Sequence, residues 1–66
     1  MNRTMRKHVN GVFVEERQES AAFIYEMISW ISRSDDYENI HYDEGLDWVT
    51  FTNKVTGTTI NYEFIN

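Results

Sequence analysis

The stretch Phe23-Ile24-Tyr25-Glu26-Met27-Ile28-Ser29-Trp30-Ile31 decides how the rest of the chain is read. Ile24, Met27, Ile28 and Ile31 recur at i, i+3, i+4 and i+7, the spacing that lines one face of an α-helix. Phe23 and Trp30 widen the stripe on one side. Glu16 and Glu19 fall in the expected first turn and Arg33 in the last, so both ends suit the helix macrodipole. Asp35 and Asp36 follow at once, and like charge near the negative end opposes continuation. The pattern predicts a helix over about residues 17–33.

Upstream, Val12-Phe13-Val14 is a short β-branched and aromatic run after Asn10-Gly11. Asn-Gly marks a two-residue hairpin when both flanks are strands. The flank Arg6 to Val9 is a poor strand, which favours a single strand over about Gly11–Glu15, with a small hairpin over residues 5–15 as the alternative. Residues 1–8 are polar, basic and weakly patterned, and are expected to be flexible. Downstream the chain reads as a meander. Asn39–Tyr42 is a short strand, Asp43-Glu44-Gly45 a turn, and Trp48–Asn53 an alternating strand. Lys54-Val55-Thr56-Gly57 is a second turn, and Thr58–Ile65 puts Ile60, Tyr62 and Phe64 on one face. The expected fold class is α+β: elements in the order β-α-β-β-β, one antiparallel sheet, and the amphipathic helix packed on one face.

The 66 residues make one domain, and a domain of that size buries only about 60% of its unfolded surface. With no cysteine, no disulfide or thiolate-held metal can staple it. Ten aromatic residues carry much of the apolar share, and large rings are one way for a short chain to build a core. A homodimer is another, because an interface acts as additional core. Trp48 and Phe51 have opposite parity, so only one of them can face the helix. With Trp30 they form the candidate dimer or aromatic surface. The longest apolar stretch, Ala21–Tyr25, is far too short to span a bilayer, so no membrane partner is expected. Absence of cysteine fits a reducing cytoplasm.

Net charge is -5, unevenly placed. Residues 1–17 carry Arg3, Arg6, Lys7 and Arg17 against Glu15 and Glu16. Between Asp35 and Asp47 lie six acids (Asp35, Asp36, Glu38, Asp43, Glu44, Asp47) and no Lys or Arg. Carboxylates two apart on a strand sit roughly 6.6 Å apart on one face. Such a row, extended by Glu16 and Glu19 at a helix N-terminus, would meet the Lys and Arg of a DNA-binding protein as a phosphate backbone does. These eight acids are the candidate partner-binding residues, and the expected partner is a basic DNA-binding protein.

Other constellations fall short. His41 and Asp43 make at most a two-ligand stub, too few for zinc or iron. Read as a calcium loop from Asp36, the sixth position is His41 where glycine is needed. No metal site and no cofactor are expected. Gly-x-Ser-x-Gly, His-Glu-x-x-His and glycine-rich phosphate loops are missing, so no catalytic residue is assigned and the chain is read as a non-enzyme. Arg3, Arg6, Lys7 and His8 could form a basic arm, with Tyr42 and Trp48 stacking bases. The acidic body would repel phosphates, so direct nucleic-acid binding ranks third, behind an assembly module that uses exposed sheet aromatics.

Size, acidity, aromatic richness, lack of cysteine and the α+β pattern together resemble the small host-takeover proteins of bacteriophages. Several of those are DNA mimics that block nucleoid proteins, nucleases, glycosylases, restriction enzymes or CRISPR effectors. The resemblance spans the whole chain as composition and architecture. No motif carries it, so it transfers no functional residue, and the basic N-terminus departs from that class. It implies an inhibitor in the bacterial cytoplasm that occupies a DNA-binding surface.

Overall fold

The computed structural model describes residues 2–65. The elements are β1 (Asn2–Val9), β2 (Val12–Ser20), α1 (Ala21–Arg33), β3 (Tyr37–Tyr42), β4 (Trp48–Asn53) and β5 (Thr59–Ile65). The expected order β-α-β-β-β runs from β2 to β5, and β1 precedes it. The strands form one antiparallel sheet in the order β2-β1-β5-β4-β3.

The chain forms the alternative hairpin and not a single strand, and the hairpin is longer than residues 5–15, pairing Asn2 with Ser20 at its open end. Asn10 and Gly11 both take positive φ, 51° and 83°, as a type I′ turn requires. Residues 2–8, expected to be flexible, lie in β1, which pairs with β2 on one side and β5 on the other; Met1 is outside the described residues. Met5 is fully buried opposite Phe64. The cationic neighbours on the same face lie over rings: the Arg3 guanidinium is 5.9 Å from the Phe64 ring centre and the Lys7 ammonium 5.9 Å from that of Tyr62.

Because β2 runs on to Ser20, the helix starts at Ala21 and not near residue 17. Ser20 is its N-cap, its Oγ accepting from the Phe23 N–H at 3.1 Å, and no acid lies in the first turn. Arg33 lies in the last turn as expected. Ile24, Ile28 and Ile31 share one buried cluster with Met5, Val49, Phe51, Tyr62 and Phe64, and Met27 and Ile60 pack against it. Residues directly opposite in a ladder share a face, so the pairs Met5–Phe64, Val49–Tyr62 and Phe51–Ile60 place the cluster's sheet residues on one side. Rings run across that side from Tyr37 to Phe51 (5.0 Å between centres), Tyr62 (6.1 Å) and Phe64 (6.3 Å). These four of the ten rings help to build the thin core, and the other six are exposed.

Phe51 is 3% exposed and is not a surface residue, whereas Trp48, opposite Glu63 on the other face, is 39% exposed. Alternation along β4 separates them. Among the described residues no helix is long and apolar enough to cross a membrane.

Candidate functional site

The acids divide between the two edges of the sheet. Glu16 and Glu19 are on β2, at one edge, and do not sit at a helix N-terminus. The Asn10-Gly11 turn draws this glutamate-rich segment into the hairpin, opposite the arginines of β1. Glu16 accepts from Arg6 Nε at 2.6 Å. Glu19 lies 3.2 Å from Arg17 Nε, and Glu15 is 4.0 Å from Arg17 Nη1. At about 4.8 Å per strand, β2 is some 19 Å from β3, so these glutamates do not extend a row of acids there.

The remaining six candidates lie on or beside β3, the opposite edge. Asp35 and Asp36 form the turn before it. Ser34 Oγ accepts from the Asp36 N–H at 3.2 Å, and the Asp36 carbonyl accepts from the Lys54 N–H at 2.9 Å, tying this turn to that between β4 and β5. Glu38 is the one acid within the strand. The pairing with β4 slips between Glu38 and His41, where Asn39 has a φ of 54°, so no regular ladder of carboxylates forms.

Asp43, Glu44 and Asp47 lie in the loop between β3 and β4, and this loop is held together by its own acids. Asp43 Oδ1 accepts from the Asp47 N–H at 2.6 Å and from the Trp48 N–H at 3.4 Å. Arg3 closes the loop from the sheet side. Its Nη1 donates to the Leu46 carbonyl at 2.7 Å, and its Nη2 to Asp47 Oδ1 at 2.7 Å and to the Phe64 carbonyl at 2.9 Å. Asp47 is thereby neutralised. Asp35, Asp36, Glu38, Asp43 and Glu44 have no Lys or Arg nitrogen within 4.0 Å among the described residues. They mark out a negative rim on and beyond a six-residue strand, about 20 Å from end to end of the strand itself. The basic N-terminal residues are not a free arm, since Arg3 and Arg6 are bound within the sheet.

Beside this rim is a feature that charge and periodicity did not reveal. Tyr25 and Tyr42 line an open groove of about 220 Å³, with Ile28, Ser29, Arg33 and Leu46. A second groove of about 340 Å³ shares Tyr25, Ser29 and Arg33 and adds Glu26 and Trp30. Tyr25 is 66% exposed and Tyr42 51%. The available signal was the i, i+4, i+8 spacing of Tyr25, Ser29 and Arg33, a second helix stripe next to the isoleucines. Trp30, a candidate surface residue, is exposed and meets Tyr37 edge-on at 5.9 Å. Among the described residues no three His, Asp or Glu side chains are grouped to hold a metal ion. The chain matches no protein-family model, no curated protein and no solved structure.

Proposed function

We propose that this chain is a non-enzymatic acidic binding protein that presents the β3 rim to the basic surface of a DNA-binding protein and competes there with DNA. This reading takes α1 to cover the clustered face of the sheet, in keeping with the shared core, so that the β3 edge stays open. One observation carries it: among the described residues five rim acids have no cationic partner, while Arg3, Arg6 and Arg17 are engaged by Asp47, Glu16 and Glu19. Of the seven acids without an ion pair among the described residues, five lie along this one edge, and Glu26 and Glu63 lie elsewhere. Clustered like charge costs stability through self-repulsion, and it steers a positively charged partner to that edge. The DNA-mimic class named above works in this way, and the bacterial cytoplasm is where such an inhibitor acts. Both grooves are open to solvent, which suits binding better than chemistry that needs water excluded.

The test is competition between the protein and a labelled duplex for a basic nucleoid-type protein. A variant with Asn at positions 35, 36 and 43 and Gln at 38 and 44 keeps shape and removes charge; Asp47 is left in place because it anchors Arg3. The native protein displaces DNA less well as salt rises, and the variant displaces it poorly at every salt concentration. If the folded variant displaces DNA as well as the native chain does, the mimic reading is wrong.

A second reading, self-assembly, is supported by a different observation. Val12, Phe13 and Val14 are exposed on the edge strand β2, where a register slip leaves Val14 without a β1 partner. An apolar, unpaired edge is a template for a second copy, giving the homodimer. The two readings are compatible, because the edges involved are opposite.

A further inference from the structure

We infer that the groove between Tyr25 and Tyr42 is an anchor pocket for an aliphatic side chain of a lysine- or arginine-rich partner segment; this rests on the reading that the rim takes a basic protein. A rim of carboxylates alone would take any polycation. Three observations give the groove a narrower occupant.

Its size is the first. At about 220 Å³, open to solvent and adjoined by a groove of about 340 Å³ that shares Tyr25, Ser29 and Arg33, it suits one side chain of an extended segment better than an enclosed small ligand. Its lining is the second. Ile28 and Leu46 supply apolar surface and two exposed tyrosines wall it, with Trp30 along the adjoining groove. Tyr, Trp and Arg are the residues that dominate binding energy at protein interfaces. The third is charge. Asp43 and Glu44 follow Tyr42 directly, Asp35 and Asp36 come just after Arg33, and Glu26 lines the second groove. The one cation in the groove, Arg33, turns its Nε back to the Ser29 carbonyl at 3.3 Å. An aliphatic side chain seated between the tyrosines would carry flanking lysines to these acids and over the tyrosine faces. The fold already uses such ring contacts internally, at Arg3, Lys7 and Arg17.

The probes are two short lysine-rich peptides of equal charge, one with a central Leu-Leu pair and the other with Ser-Ser. Titrated into the full chain at low salt, the leucine peptide binds roughly tenfold tighter, the gain expected from burying one such side chain. Tyr25→Ser with Tyr42→Ser removes that preference, so that the two peptides bind the variant equally. Both tyrosines are well exposed, so the fold tolerates the change, and an unchanged thermal melt checks this. In a Trp48→Phe background the remaining tryptophan is Trp30, and the leucine peptide protects it from quenching by acrylamide. Equal affinity for the two peptides, or a preference that survives the tyrosine substitutions, overturns the anchor and leaves the acidic rim standing. Failure of the native chain to bind either peptide overturns the rim, and the anchor with it.

Discussion

Replacing Arg3 by methionine keeps an unbranched stem and removes every donor that joins β1 to the β3–β4 loop. The Arg3 side chain is 13% exposed and its partners are the Leu46 and Phe64 carbonyls and the Asp47 carboxylate. Asp47 is 63% exposed, so the ion pair itself contributes at most about 1 kcal/mol. The two carbonyl bonds have a charged donor in a part-buried setting, where such bonds contribute about 1.5–3 kcal/mol each. Against that, Arg3 Nε is buried without a partner, a cost that the substitution relieves. The net loss expected is about 2–4 kcal/mol. At roughly 0.05–0.15 kcal/mol per residue, a 66-residue domain has only about 3–10 kcal/mol in all. Urea unfolding measures the loss directly. Asp47→Asn is the control and costs about 1 kcal/mol or less, because it removes charge and leaves the carbonyl bonds in place. Amide exchange adds a local readout: the Leu46 N–H, which donates to the Asp43 carbonyl at 3.1 Å, exchanges faster in Arg3→Met. An Arg3→Met variant within about 0.5 kcal/mol of native stability would refute this account of the loop. So would an Asp47→Asn variant that loses as much as Arg3→Met.

Ile24 is 1% exposed in the shared core, and Ile24→Ala should lower stability by about 2–5 kcal/mol; an unchanged urea midpoint would remove it from the core. Ser20→Ala loses the cap on the Phe23 N–H and costs about 1 kcal/mol, seen as a lower melting temperature with circular dichroism otherwise retained. Sedimentation at micromolar concentration should show a dimer that Phe13→Lys splits, and a native mass near 7.9 kDa alone would count against pairing through β2.

The helix stripe and the strands after it were legible because burial there follows period and parity. Ile24, Ile28 and Ile31 are the three buried helix residues, and the opposite parity of Trp48 and Phe51 separates an exposed ring from a buried one. The first twenty residues were misread for a physical reason. Arg3, Arg6 and Lys7 look like solvent-facing charge, but Arg3 and Lys7 place their charged heads over rings and Arg6 meets Glu16 across the strand pair. The Asn10-Gly11 pair fixes the hairpin, and it does so although its upstream flank is polar. The same error placed Glu16 and Glu19 on the helix. Pairing partners decide which acids stay free, and those partners depend on strand order, which local sequence does not encode.

A competing explanation of the rim is that charge on an edge strand only prevents sheets from joining edge to edge. Position separates the two roles. Edge protection requires charge on the strand, and Glu38 alone satisfies it. Asp35 and Asp36 precede the strand, and Asp43 and Glu44 follow it. Both flanking segments are fixed to the body, the first through the Asp36 carbonyl and the second through Asp43 and Arg3. Their backbone is therefore ordered before a partner arrives, and less is lost when it binds. Glu38→Gln alone should therefore raise self-association at high protein concentration and barely change competition with DNA. Neutralising the four loop acids, with Glu38 intact, should do the reverse: the protein stays dispersed and its competition with DNA falls strongly. Light scattering and the displacement assay on the same two variants decide the matter. If Glu38→Gln abolishes competition while the loop variant retains it, the strand edge is the binding surface and the flanking acids serve only solubility.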